Sequence, residues 1–579
     1  MKTKWIMYTL EGITMLFWIS FLSNADSYRF PYILVTILSF LCFYINSQKK
    51  TENGEYPKKQ ICLGAGIFSV MAAAANYALV FHAEAPGHLA GIVYRLALLV
   101  LLFIGGFFSA WHILYCGACR LKGFVWKQYL YQIPSAAVFG MSFAVISVVN
   151  LFLLFACRYP GNLTPDSLSQ VGQILSDSYS NHHPFYHTMV IRLFLKAGLA
   201  LFGEINAAVA LYHVFQILFM AFCFSMVIVT LYEMRLFLGA VVLTGAWYAL
   251  MPFHIVYSFT MWKDVMFGGF VVLFSVFLYR VLKKMGGHMW CQKGLLMASG
   301  IGICLCRSNG MFAFGILVLS FFALFGKSER KLCVIFASIL FFGFFMKHAA
   351  LRHLQVAQPD TVEALSIPLQ QLARVIKDHD DFTNEQKELL NQVVDTTAVS
   401  NAYVPWISDP VKELVRGRGN QQYFIQRKLE YLKLYIQVGL KHPLSYMKAW
   451  IDETRGYWNA GYDYWRWIDD VFENNYGIQR TVRLKWVQKC LDGYLWMYEK
   501  NSFLQIFLCI GFYVWAVLFL FLISIVRKDR VGLVLTIPVL AVVLSLFIST
   551  PVYSEFRYAY AVFCCFPFLL FAVLRGDKK

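Results

Sequence analysis

Six long apolar runs, at 133–157, 207–231, 237–257, 265–282, 503–526 and 531–549, constrain this chain more than any other feature. Each supplies roughly the 17–25 residues that cross a bilayer as an α-helix. Unpaired backbone groups are too costly in lipid for anything but helices and closed barrels to span it. The runs lack the apolar–polar alternation of a barrel, so they are read as helices. Composition agrees: 59% of the 579 residues are hydrophobic and 15% charged, too few polar groups to coat a soluble chain of this length.

Charge then orders the spans. The net charge is +18, yet in 348–502 nineteen Lys/Arg balance nineteen Asp/Glu. The excess lies in short loops and tails: Lys2/Lys4, Lys49-Lys50 with Lys58-Lys59, Arg120/Lys122/Lys127, Lys283-Lys284, Lys327/Arg330/Lys331, Arg527/Lys528/Arg530 and Arg575/Lys578/Lys579. Short basic loops between spans mark the cytoplasmic face, a use of the charge that needs no nucleic acid. All seven clusters fall inside with fourteen crossings, at 5–24, 31–46, 61–81, 91–115, 132–157, 207–232, 237–256, 265–284, 294–309, 311–326, 332–347, 503–526, 531–549 and 557–574. Both termini are then cytoplasmic. The parity requires 187–202, which carries Arg192 and Lys196 one turn apart, to be a helix lying at the outer interface.

The expected fold is an all-α integral membrane protein of about 14 transmembrane helices. It divides into N-terminal spans (1–131), a core (132–347) whose external loop, 158–206, holds juxtamembrane helices, an external helical domain (348–502) and C-terminal spans (503–579). The first span lacks a small-residue cleavage site and is expected to remain as a helix. The 348–502 region has amphipathic stretches at 365–377 and 424–440, with Asp360 and Thr383 as N-caps and Pro405, Pro410 and Pro443 as punctuation. Only Cys490 of the 14 cysteines lies there, so no internal disulfide can staple it. Asn162-Leu163-Thr164 matches the glycosylation sequon.

The same parity gathers ionisable residues outside. The first external loop carries Asp166, then His182-His183-Pro184. An acid at the membrane's outer edge, with histidines further along the loop, can place a general base over an interfacial cleft; the plainer alternative is a loop with ordinary caps. Lys263 and Asp264 open one span, Arg307 and Asn309 form another tip, and Glu555 and Arg557 enter the last span. Such groups at an apolar boundary pair or line a polar cavity, unless they only snorkel. Three cations there suit a phosphate or pyrophosphate. Asp and His can ligate a divalent metal, but no ligand spacing is diagnostic and no metal residue is assigned. No Gly-Lys-Ser/Thr phosphate loop is present, and Cys116/Cys119 lacks a partner pair. Trp458, Tyr462, Tyr464, Trp465 and Trp467 are read as packing before sugar stacking. No internal repeat or pair of Pro/Gly-broken spans of the transporter kind is apparent.

With Tyr159-Pro-Gly-Asn-Leu-Thr-Pro-Asp166, His183-Pro184, the interfacial helix ending in Leu201-Phe202-Gly203 and Glu555-Phe-Arg557-Tyr558, the chain resembles the GT-C superfamily of membrane glycosyltransferases. The likeness is strongest over 132–326; the four leading spans and the 348–502 insert depart from the usual layout, and Asp166 is followed by Ser167 rather than a second acid. The resemblance implies transfer of a sugar from a polyprenyl-phosphate carrier to a cell-envelope glycan or lipid acceptor at the outer face. Asp166 would then be the general base, with Lys263, Arg307 and Arg557 on the departing phosphate. His182 and His183 would orient it or donate a proton, and Asp264 and Glu555 would hold the basic groups. The reading from a different class is a transporter or flippase of lipid-linked saccharides. Ionisable residues should meet at the outer interface in a transferase and near the midplane in a transporter.

Overall fold

The computed structural model describes residues 6, 9–16, 18, 29–48, 58–77, 88–121, 132–379, 381–417, 419–459, 466–501 and 503–575. Much of the proposed first span, 5–24, lies outside them, as do Lys2, Lys4, Lys49, Lys50, Lys122, Lys127, Lys578, Lys579, Tyr462, Tyr464 and Trp465. The described residues are helical, and their β pairings are isolated bridges between loops.

Helices α1 (Arg29–Gln48), α2 (Lys58–Ala75) and α3 (His88–Tyr115) lead to α4 (Ser135–Cys157). Then come α5 (Pro165–Leu175), α6 (Phe185–Phe202), α7 (Ile205–Glu233), α8 (Leu238–Leu250) and α9 (Pro252–Ser258). They are followed by α10 (Lys263–Leu282), α11 (Met289–Cys306), α12 (Gly310–Phe325) and α13 (Arg330–Phe345). The insert contributes α14 (Ser366–Asp378), α15 (Lys428–Lys441), α16 (Pro443–Thr454) and α17 (Lys485–Lys500), and α18 (Ile510–Arg527), α19 (Arg530–Ser549) and α20 (Tyr560–Arg575) close the chain. Among the described residues ten helices are long and apolar enough to cross a membrane, or eleven if α8 and α9 form one span. Three shorter apolar helices accompany them, at Tyr32–Ser47, Lys59–Ala75 and Gly310–Phe325. This set is consistent with a multi-pass membrane protein.

The long helices alternate in direction. The Tyr232 hydroxyl, at the end of α7, donates to the carbonyl of Ile133 just before α4 (2.6 Å). At this same end Arg527 caps the carbonyls of Val573 and Leu574, where α20 finishes, and Arg280 pairs with Glu233 at 2.7 Å. The opposite end gathers the starts of α7, α10, α12 and α20 and the finishes of α4, α11, α13 and α19. Helix α10 is the most enclosed, and its Gly269 lets the Phe219 ring approach to where a Cβ would stand 2.5 Å away.

The expected spans at 237–256 and 503–526 are not single helices, the second beginning as an α-helix only at Ile510, and the expected interfacial helix is span-like in length. In the first of them α8 and α9 meet at 51°. Pro252, at the first position of α9, has no N–H to continue the ladder of α8, and its ring crowds the preceding turn. Helix α6 matches a span in length and apolarity. It nevertheless crosses the first turns of α7: His187, Ile191, Leu195 and Gly198 all meet the stretch 208–212, and a Cβ on Gly198 would lie 2.4 Å from the Ala208 backbone.

The insert has its own core, in which α14 (Ala373, Val375, Ile376) packs on Leu434, Val438 and Tyr446. Thr383 caps the helix Asn384–Asn391 in a reciprocal box with Gln386. Asp360 makes no such bond and pairs with Arg416 instead (3.1 Å). The stretch 424–440 is broken at Arg427, whose backbone (φ −117°, ψ 33°) leaves the helical region. The return segment 466–484 is stitched to the first loop through Thr481 N–H to Tyr159 O (2.8 Å) and Leu163 N–H to Asp470 O (3.0 Å). Arg158, nearly inaccessible, clamps the same junction by pairing with Asp469 (2.7 Å) and Asp492. Trp458 is buried and stacks on Trp450, as a packing residue would.

Candidate functional site

The first loop positions its acid by backbone pairing. Asn162 N–H donates to Phe259 O (2.7 Å) and Met261 N–H to Asn162 O (3.2 Å), which lays 159–164 against the connection before α10. Thr164 and Ser167 form a capping box around Pro165, and the Ser167 hydroxyl donates to Met261 O (2.8 Å). Trp262 Nε1 donates to Thr164 Oγ1 at 2.9 Å. Asp166 therefore sits in the first turn of α5, where the helix dipole favours a carboxylate, beside the start of α10. Asn162 itself is fully buried, with its amide on Thr260, so the sequon is closed.

Around Asp166 the structure brings together most of the expected residues. Arg557 Nη1 lies 2.8 Å from Asp166 Oδ2, and Arg557 Nε lies 3.2 Å from Glu555 Oε1. Lys263 Nζ is 3.5 Å from His183 Nδ1. Arg307 pairs with the buried Asp264 at 2.5 Å. His183 is buried and His182 exposed, with ring centroids 4.8 Å apart. Asn309 stands slightly apart and donates to Ser545 Oγ (2.6 Å). About a third of the Asp166 side chain stays accessible (34%), whereas Arg557 (17%), Glu555 (11%) and Arg307 (10%) are largely covered.

Three residues absent from the expected set complete the geometry. Both guanidinium groups lie over the Tyr558 ring, with Arg307 Cζ 4.8 Å and Arg557 Cζ 5.2 Å from its centroid. Trp262 carries Arg557 from another side at 5.0 Å. Lys347 donates to the carbonyls of Arg307 (2.8 Å) and Ser308 (3.3 Å), fixing the tip that presents Arg307. Tyr558 and Trp262 were visible as aromatics flanking the charged motifs; Lys347 looked only like the end of a span.

Electrostatics separates the carboxylates. Burial pushes the Asp166 carboxyl upward, but Arg557, Lys263 and the neighbouring His183 together hold it well below the usual carboxylate range. Burial, then Lys263, drives the His183 imidazole down to about 3, so it is neutral and able to accept or donate one hydrogen bond. Glu555 moves the other way: burial raises it to about 7, outweighing Arg557, with Asp264 and Asp166 adding to the rise. Its bound proton therefore stabilises the fold fully below the ordinary value of 4.5, and this contribution is lost as pH rises through about 7. Relative to Glu555→Gln, the wild type should lose on the order of 2–3 kcal/mol across that window, read as diverging thermal unfolding curves in detergent. Parallel curves would contradict the assignment.

Among the described residues no three His, Cys, Asp or Glu side chains are placed together to hold a metal ion, and no metal ligand is assigned. What the cluster offers is one accessible ionised carboxylate, a neutral imidazole and three cations around it. An apolar cavity of about 380 Å³ lies below this end, between α2, α12, α18 and α19, lined by Met71, Ile316, Trp458, Trp515, Leu544 and Phe547. Leu544 and Phe547 flank Ser545, the partner of Asn309.

Residues 176–579 match the profile of a family described as a family of unknown function, DUF6020, and the chain belongs to that family. The matched stretch contains every residue of the cluster except Asp166, which precedes it by ten positions. No curated protein and no solved structure matches the chain.

Proposed function

We propose that this protein is a membrane glycosyltransferase of the GT-C kind, which moves a sugar from a polyprenyl-phosphate carrier to a cell-envelope acceptor at the outer membrane face. The observation that carries the reading is the meeting of Asp166, Lys263, Arg307 and Arg557 at the ends of helices rather than midway along them. A transporter would need its polar site near the midplane, and a scaffold would leave these charges scattered. Among the described residues one bent helix pair is found, at Pro252, and it is no inverted pair. In the reaction the acceptor hydroxyl oxygen attacks the sugar's anomeric carbon, the bond from that carbon to the phosphate oxygen breaks, and the electron pair leaves with the lipid phosphate. Asp166 takes the hydroxyl proton. While paired with Arg557 it is a weak base; a donor phosphate that draws Arg557 toward itself raises its basicity in the loaded state. Lys263, Arg307 and Arg557 stabilise the charge growing on the phosphate. The apolar cavity beside Ser545 supports an isoprenoid chain below that headgroup. Conversion of a polyprenyl-phosphate sugar to free polyprenyl phosphate by the purified protein tests the reading.

The finer topology belongs to the same proposal. Helices α4 and α7 run antiparallel with their ends adjacent, so α6 between them makes no crossing and lies at the interface. Counting α8–α9 as one span, the three shorter helices and the first span at 5–24 gives fourteen crossings. The basic clusters at the end remote from the site then lie inside with both termini, and 348–502 lies outside. Cys490, the exposed cysteine of α17, should therefore react with a membrane-impermeant maleimide in intact cells, and a Cys490→Ser protein should lose that label. Labelling only after permeabilisation would reverse the orientation.

A further inference from the structure

Helix α15 has two apolar faces. Tyr431, Leu434 and Val438 are buried in the insert. On the opposite side Leu429, Leu432, Ile436 and Leu440 are 81%, 52%, 50% and 79% exposed. The stripe continues onto α16 as Leu444 and Met447, both more than half exposed. Single exposed apolar residues are ordinary, whereas four at successive helical spacings on α15, with two more on α16, form a patch that wants a partner. Lys428, Lys433 and Lys448 stand exposed along it. One turn beyond Met447, Trp450 Nε1 donates to the carbonyl of Phe547 (2.9 Å) in the last turns of α19, next to the exposed Leu544 and Ile548. Trp450 thus joins the end of the stripe to the apolar flank of a candidate span.

We propose that this face of α15 and α16 is a membrane-docking surface, lying in the headgroup–acyl boundary of the same bilayer that holds the bundle and recognising anionic lipid. An interfacial helix combines an apolar face with flanking lysines, here joined by an indole at the level where a span ends. Each lysine near an anionic surface adds to the attraction. The docking fixes this part of the insert against the bilayer beside α19. It depends on α19 crossing the membrane and not on any reaction at Asp166.

The test uses full-length protein reconstituted in vesicles, with the exposed cysteines Cys62 and Cys490 changed to Ser. Ile436→Cys is labelled with bimane and exposed to lipids carrying a nitroxide on the acyl chain. Leu243→Cys, on the exposed apolar side of α8, gives the lipid-facing reference, and Gln392→Cys, exposed elsewhere on the insert, gives the aqueous one. Quenching at position 436 should reach roughly half or more of that at 243 and increase when phosphatidylglycerol replaces phosphatidylcholine. Quenching no greater than at 392 would overturn the proposal. So would an apolar emission at 436 that follows protein density and ignores nitroxide lipid, because a second copy would then cover the face. Quenching indifferent to phosphatidylglycerol would overturn the anionic-lipid assignment.

Discussion

Replacing Asp166 with Asn should lower sugar transfer by on the order of 10²–10⁴-fold, the usual worth of a positioned general base, while the protein stays folded. The side chain is a third accessible, and its only ion partner in the cluster, Arg557, keeps Glu555 at 3.2 Å. The amide keeps an oxygen that accepts from Arg557, so the guanidinium retains a hydrogen-bond partner there. The amide is nearly isosteric and cannot take the acceptor's proton. Binding of the donor should survive or strengthen, since removing the anion frees Arg557 for phosphate. Initial rates and donor affinity measured together in proteoliposomes check this: a fall in rate without a fall in affinity is expected. A variant that transfers sugar at the wild-type rate, at matched expression, would remove Asp166 from the chemistry.

Arg557→Lys should be nearly as damaging, lowering the rate by on the order of 10²-fold. A lysine keeps the charge but loses the planar fork that reaches Asp166 and Glu555 from two nitrogens, and it cannot stack between Trp262 and Tyr558. The loss should fall mainly on the chemical step, because charge on the phosphate grows between the bound donor and the transition state. Donor binding, in which Lys263 and Arg307 are proposed to share, should change less. Single-turnover rates against donor titrations separate the two, and a pure loss of affinity would make Arg557 a binding group only. Arg557→Met is a poorer probe, since it would leave Asp166 and Glu555 facing each other without their shared cation.

Most of the helical architecture was legible in the runs of apolar residues, because a span must be continuous in sequence. Breaks were less so. Pro252 carries a known signal that a run of hydrophobicity conceals, and the break at Arg427 has no residue type that would announce it. For the site, charge parity placed Asp166, Lys263, Arg307 and Arg557 at one end, but it could not pair them. Asp166 and Arg557 are 391 residues apart, and their meeting depends on the backbone bonds that lay 159–164 against 259–262. Lys347 was unreadable for a related reason: its role is to bind carbonyls of Arg307 and Ser308, and backbone acceptors leave no mark in a sequence. The second apolar face of α15 was present in the sequence as well. Its meaning emerged only once the first face was seen to be occupied.

The polar end of the bundle is proposed to transfer sugar from a lipid carrier. That activity is tested most directly by incubating the purified, reconstituted protein with a polyprenyl-phosphate sugar and an envelope-derived acceptor, and following both lipid and sugar by mass spectrometry. Time-dependent release of free polyprenyl phosphate is expected, matched by sugar on the acceptor and strongly reduced with Asp166→Asn. Donor that binds, or moves between leaflets, with its sugar still attached would contradict the proposal.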